Sequence, residues 1–151
     1  MEYTRITLPD FWVIGREGST NDGPNFISQL WELANSTFNE VAHLAIPDTN
    51  GMPRVWGLMS DMTHSFHPWE EHFTKGLYLA GIEVSHDTVV PDGWSKWHSP
   101  AYEYIIAPAG PDAFPKAIAY LAENGLELVG AAYDLTIPGE GSYTYLPIKK
   151  L

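Results

Sequence analysis

Three carboxylates lie in or at the end of apolar, β-prone runs, where an acidic side chain is out of place unless it has work to do. Glu103 interrupts Tyr102 to Ala107, Glu83 closes Leu77 to Val84, and Asp134 stands between Tyr133 and Leu135. Strand alternation puts Tyr102, Tyr104 and Ile106 on one face and Glu103 on the other. Buried in a cleft, Glu103 would have its pKa raised by desolvation into the range of a general acid or base. On an edge strand facing water it would be an ordinary solvated charge. The same choice holds for Glu83 and Asp134, either as charges that receive a ligand or as solvated strand ends.

The aromatic residues supply the walls such a site needs. Six Trp are present, of which Trp12 and Trp31 fit core periodicity and Trp56 lies on a strand with either face available. Trp94 and Trp97 fall in a polar Gly/Pro/Ser stretch and are expected as a lid or pocket wall. Tyr78, Tyr104 and Tyr133 each carry a hydroxyl that can meet a substrate oxygen, or bond to backbone if it is buried in the core.

Several chemistries are excluded or disfavoured. The chain has no Cys, which removes disulfides, thiolate metal sites and a cysteine nucleophile. His64, His67 and His72 lack the His-Glu-x-x-His spacing, and Pro68 would break a helix through them, so no metal is expected. There is no glycine-rich phosphate cradle and no Gly-x-Ser-x-Gly elbow. Acidic residues outnumber basic ones 19 to 8, for a net charge of −11, and the cations are scattered apart from Lys149-Lys150, which argues against nucleic-acid partners. No apolar run suits a signal peptide or a membrane span, so a cytoplasmic protein with no membrane partner is expected.

The elements that must position these groups read as a single α+β domain with two similar halves, about residues 1–88 and 98–151. Strands are predicted at Phe11 to Gly15, Val55 to Met59 and Leu77 to Val84, with a helix from Phe26 to about Asn39 capped by Asn25. The second half is predicted as a strand at Tyr102 to Ala107, a helix from Asp112 to Asn124 stopped by Gly125, and a strand from Leu128 to Ile137. That last strand turns through Pro138-Gly139-Glu140-Gly141 into Tyr143 to Ile148. Strand, helix, strand, strand, twice over, predicts a mostly antiparallel sheet with two helices on one face and a ligand cleft on the other.

The ordered phrases Phe11-Trp12-Val13-Ile14-Gly15, Gln29-Leu30-Trp31, Gly76 to Val84, Pro91-Asp92-Gly93-Trp94, Tyr102-Glu103-Tyr104 and Tyr145 to Lys150 resemble the GyrI-like family. This is the AraC effector-binding or multidrug-sensor group, related in fold to the SOUL proteins. The resemblance implies a lipophilic aromatic small molecule bound in a central cleft, with no cofactor, in a stand-alone member lacking a helix-turn-helix. Tyr102-Glu103-Tyr104 and the Trp-rich stretch before it are similar to a branch that adds water to the cyclopropane of cyclopropanoid cyclohexadienone DNA-alkylating toxins, a detoxifying hydrolase activity. In that reading Glu103 activates the water, Tyr133 steadies the developing phenolate, and Trp56, Tyr78, Glu83, Trp94, Trp97, Tyr104 and Asp134 bind the substrate. The resemblance equally implies two alternatives: sequestration of cationic or lipophilic drugs without chemistry, and a gyrase-inhibitor-like interaction. Asp134 stands where the multidrug sensors place a Glu, one methylene longer.

Overall fold

Period-two alternation in eight strands produces one antiparallel sheet in the computed structural model, which describes residues 3–48 and 50–151. The strands are β1 (Thr4–Leu8), β2 (Phe11–Ser19), β3 (Val55–Ser60), β4 (Leu77–Val84), β5 (Ser95–Ser99), β6 (Tyr102–Pro108), β7 (Tyr133–Ile137) and β8 (Gly141–Lys150). Their order across the sheet is β1-β6-β8-β7-β3-β4-β2-β5. At its centre β3 pairs with β7, with Gly57 opposite Asp134. Two helices supply the crossovers: α1 (Phe26–Ser36) joins β2 to β3 over β4, and α3 (Ala113–Glu123) joins β6 to β7 over β8. Between them in sequence, α2 (Glu70–Phe73) is a four-residue turn in which Glu71, His72 and Phe73 all have positive φ.

The helices settle on one face because their apolar stripes match it. α1 buries Phe26 and Ala34 against Tyr78 and Ala80 of β4. α3 buries Ala117 and Leu121 against Ile105, Ala107, Leu146 and Ile148. Residues of the opposite parity fill the other face with an aromatic core of Phe11, Trp56, Trp97, Tyr102, Tyr104, Tyr133 and Tyr145, packed with Val13, Leu58, Leu79 and Leu135. Phe11 stacks on Trp56 at 4.8 Å, and Tyr145 meets both Trp56 and Tyr104 edge-on. Each such pair adds roughly 0.5–1.5 kcal/mol beyond area burial. The segment after β3 closes over this face. Phe66 enters the core, its N–H donates to Ser60 Oγ at 2.9 Å, and its carbonyl accepts from Ala131 N–H at 2.8 Å.

The α+β class, the antiparallel sheet and the two packed helices are as the sequence predicts. Three local readings differ. β1 and β5 form the two sheet edges, and each alternates few apolar residues with polar ones because only one neighbour and one face bury it. β7 begins at Tyr133 rather than Leu128. Val129 N–H does donate to Pro147 O at 3.0 Å, but Pro147 has no N–H to return, and the β6–β8 register slips beside it. Asn25 stands at the start of α1 without a side-chain capping bond. Gly125, at φ +67°, ends α3 as expected.

Candidate functional site

The face opposite the helices, where a ligand cleft is predicted, is filled by the aromatic core, and a cavity of about 540 Å³ lies instead on the helix side, between α1 and α3. Its floor is the helix-facing row of the central strands: Met59 of β3, Tyr78 of β4, Asp134 and Thr136 of β7, and Ser142 and Thr144 of β8. Trp31 of α1 stands on one side, and Ala113 and Phe114 of α3 on the other. Pro68, Trp69 and Phe73 close a further wall, where Phe73 meets Phe114 edge-on at 5.3 Å.

Two glycines make this arrangement possible. At Gly57 a Cβ would collide with the Tyr78 hydroxyl, so only glycine lets the phenol lie across β3 toward Asp134. At Gly76 a Cβ would enter the Trp69 indole, which is anchored by donation from Nε1 to Leu77 O at 2.9 Å. Tyr78 is buried, and its hydroxyl accepts from Trp31 Nε1 at 3.1 Å. Burial, and then the Asp134 charge, push the Tyr78 phenol well above its ordinary range, so it stays protonated as a donor.

Asp134 is the only charged side chain among the described residues lining the cavity. Burial raises its carboxyl above the usual range, against a weak lowering by the Thr144 hydroxyl, which donates to Oδ1 at 3.4 Å. Its alternation partners Tyr133 and Leu135 point into the aromatic core, which is why Asp134 must face the helices.

The other expected site residues are dispersed. Glu103 lies near the far end of β6, opposite Thr7 of β1 and Lys149 of β8, outside the cavity. Tyr133 is 1% exposed in the aromatic core, its hydroxyl sharing a hydrogen bond with Ser99 Oγ at 2.8 Å, and Tyr104 is buried beside it. Glu83 already has its partners: Arg54 Nε and Nη2 donate to it at 3.0 and 3.1 Å, and Trp56 Nε1 at 2.9 Å. Trp97 is buried in the core, with Nε1 donating to Glu17 Oε1 at 2.6 Å. Trp94 carries the Arg16 guanidinium 3.9 Å from its ring and lines a smaller cavity of about 200 Å³. The structure thus brings Tyr78 and Asp134 together and leaves Glu103 and Tyr133 elsewhere. Among the described residues, no three His, Asp or Glu side chains converge as a metal site, and no helix is long and apolar enough to cross a membrane.

Trp31, Trp69 and Phe73 are cavity residues that the sequence reading did not assign to a site. Trp31 shows the same helical periodicity as a core residue, and Trp69 and Phe73 lie within the polar His-bearing segment of residues 60–75, where no regular period marks an inward face.

Among solved structures, the chain is similar to the EcmrR C-terminal domain, with a TM-score of 0.67, 16% identity, and 99% of this chain and 98% of that one covered. The chain shares the fold of that domain. It is also similar to SAV2435, solved bound to tetraphenylphosphonium, with a TM-score of 0.63, 15% identity, and coverage of 99% and 94%. A hydrolase from Listeria innocua matches with a TM-score of 0.50, 14% identity, and coverage of 98% and 92%. At these identities the likeness concerns the fold. The sequence matches no family model and no curated protein.

Proposed function

We propose that this GyrI-like chain binds a lipophilic aromatic cation in the cavity between α1 and α3, with Asp134 as its counter-charge. The observation that carries this reading is a lone carboxylate on the floor of a cavity walled by Trp31, Trp69, Phe73, Tyr78 and Phe114. A cavity of about 540 Å³ falls in the range of roughly 300–1,000 Å³ usual for small-molecule sites. Aromatic faces attract a cation by about 0.5–2 kcal/mol each when it is desolvated, and a carboxylate in the same dry space removes the cost of burying an unpaired charge. SAV2435, similar in fold, was solved with such a cation.

The test is titration of tetraphenylphosphonium followed by calorimetry. Asp134→Asn is expected to weaken binding by about tenfold or more, equivalent to about 1.4 kcal/mol. Glu103→Gln, outside the cavity, is expected to leave it within about twofold. Equal affinities for Asp134→Asn and the parent chain would remove Asp134 from the site.

One observation favours the water-addition reading as a second possibility: a carboxylate raised by burial and a protonated phenol share the cavity floor at Asp134 and Tyr78. In this cavity the water would be oriented by Asp134, not Glu103, and the developing phenolate by Tyr78, not Tyr133. Incubation with a cyclopropane-bearing cyclohexadienone alkylator and mass spectrometry separates the two readings. Unchanged compound retained by the protein supports binding alone, and catalytic formation of a product heavier by one water supports hydrolysis.

A further inference from the structure

Trp31 lines both cavities of the helix face. On one side is the Asp134 cavity. On the other is the smaller one of about 200 Å³, formed by Ala34, Phe38, Val41, Val55, Ile82 and Trp94 with their neighbours, and among the described residues no ionisable side chain lines it. The Trp94 indole N–H is already committed to Glu40 Oε1 at 3.0 Å, so the wall it offers is its apolar ring. A dry cavity of about 150 Å³ holds a benzene-sized group, so this second space is large enough for a phenyl ring or a short alkyl chain.

Among the described residues the two linings share one, Trp31, whose side chain makes a single hydrogen bond. The Trp31 indole stands edge-on to Tyr78 at 75°, and its Nε1–H donation to Tyr78 Oη is its side-chain hydrogen bond. Over Gly57 its neighbour is the Tyr78 phenol, which occupies the space of the missing Cβ. Trp31 itself is only half-buried, whereas the buried anchors of α1 are Phe26 and Ala34.

Building on the cation-binding reading above, we infer that Trp31 is a movable partition between a cation subsite at Asp134 and an uncharged subsite that receives an apolar arm of the same ligand. The preferred ligands are therefore lipophilic cations bearing a benzyl-sized or short alkyl arm, rather than compact cations. The arm replaces no polar partner in the second space, so it gains from burial there without competing for Asp134.

The test compares methyltriphenylphosphonium with hexyltriphenylphosphonium by calorimetry on the full chain. The hexyl cation is expected to bind the parent chain at least about tenfold more tightly, as several buried methylenes allow. Ala34→Leu puts side-chain volume into the second cavity and is expected to reduce that ratio by about fivefold or more. Trp31→Ala removes the partition and is expected to move the ratio the other way, which protects the test if Ala34→Leu folds poorly. A ratio that neither variant moves, with methyltriphenylphosphonium still bound through Asp134, overturns the partition alone. If neither cation binds the parent chain, the cation-binding reading fails and the partition fails with it.

Discussion

The Tyr78 phenol occupies the space that a side chain at Gly57 would fill, so one strand's missing Cβ positions another strand's hydroxyl beside Asp134. Gly57→Ala is expected to force Tyr78 off its rotamer and cost about 1–3 kcal/mol of stability by overpacking. Urea unfolding measures the cost. Loss of the Trp31–Tyr78 hydrogen bond should accompany it as a change in tryptophan emission.

Asp134 gives two pH dependences of opposite sign. Burial raises its folded-state pKa above the unfolded value, so its contribution to stability is fully present below the unfolded pKa and is lost as pH rises through the folded one. Asp134→Asn is therefore expected to be more stable than the parent chain at neutral pH, and the gap should close on acidification through the folded value. Binding of a lipophilic cation needs the ionised form and is expected to weaken over the same interval. Thermal melts and titrations across that window check both.

Asp61 behaves in the reverse sense. It is 6% exposed and collects the segment that covers the aromatic core, accepting from Ser65 N–H at 2.8 Å, Thr63 Oγ1 at 2.7 Å and Ser60 Oγ at 3.1 Å. Burial pushes its carboxyl up, but these hydrogen bonds and the nearby His67 more than offset that and leave it below its ordinary range. Its stabilising contribution is present above the unfolded pKa and is lost as pH falls through the folded one. Asp61→Ala is expected to cost about 2–3 kcal/mol at neutral pH by denaturant unfolding, because three hydrogen bonds to a charged group are lost and the buried Ser60 hydroxyl loses its acceptor.

The turn at Glu71, His72 and Phe73 runs left-handed without a glycine, with φ of 51°, 60° and 65°. Such residues cost on the order of 1 kcal/mol each against glycine. His72→Gly, at an exposed position outside the cavity wall, is expected to raise stability by up to about 1 kcal/mol, read as a higher melting temperature.

Much of this architecture was legible in the residues, and the reasons the remainder was not are physical. Leu77 to Val84 and Val55 to Met59 are central strands buried on both faces, so their apolar runs announce them, and the α1 and α3 periodicities locate both helices. The edge strands β1 and β5 are half-solvated and carry too few apolar residues to be predicted as strands. Asp134 was among the expected ligand residues because a charge flanked by Tyr133 and Leu135 is anomalous. Glu103 is the same anomaly on β6, and its preference over the other two carboxylates rests on the resemblance of Tyr102-Glu103-Tyr104 to the water-adding branch. Only the sheet order shows that β7 is central, beneath the gap between the helices, while β6 lies under α3 and next to an edge strand. Parity along a strand assigns a residue to a face, but which face is hollow depends on how the two helices are spaced above it, and no local pattern encodes that spacing.

The sheet has one solid face and one hollow face, and this divides the demands on the sequence. Residues of one parity are bound to the aromatic core, where a changed side chain disturbs many neighbours at once. Residues of the other parity near the central strands border open space and are constrained chiefly by whatever occupies it. A lineage can then exchange its guest by altering a few wall positions while the scaffold persists. Shared architecture at 14–16% identity is the expected long-run outcome of such a division.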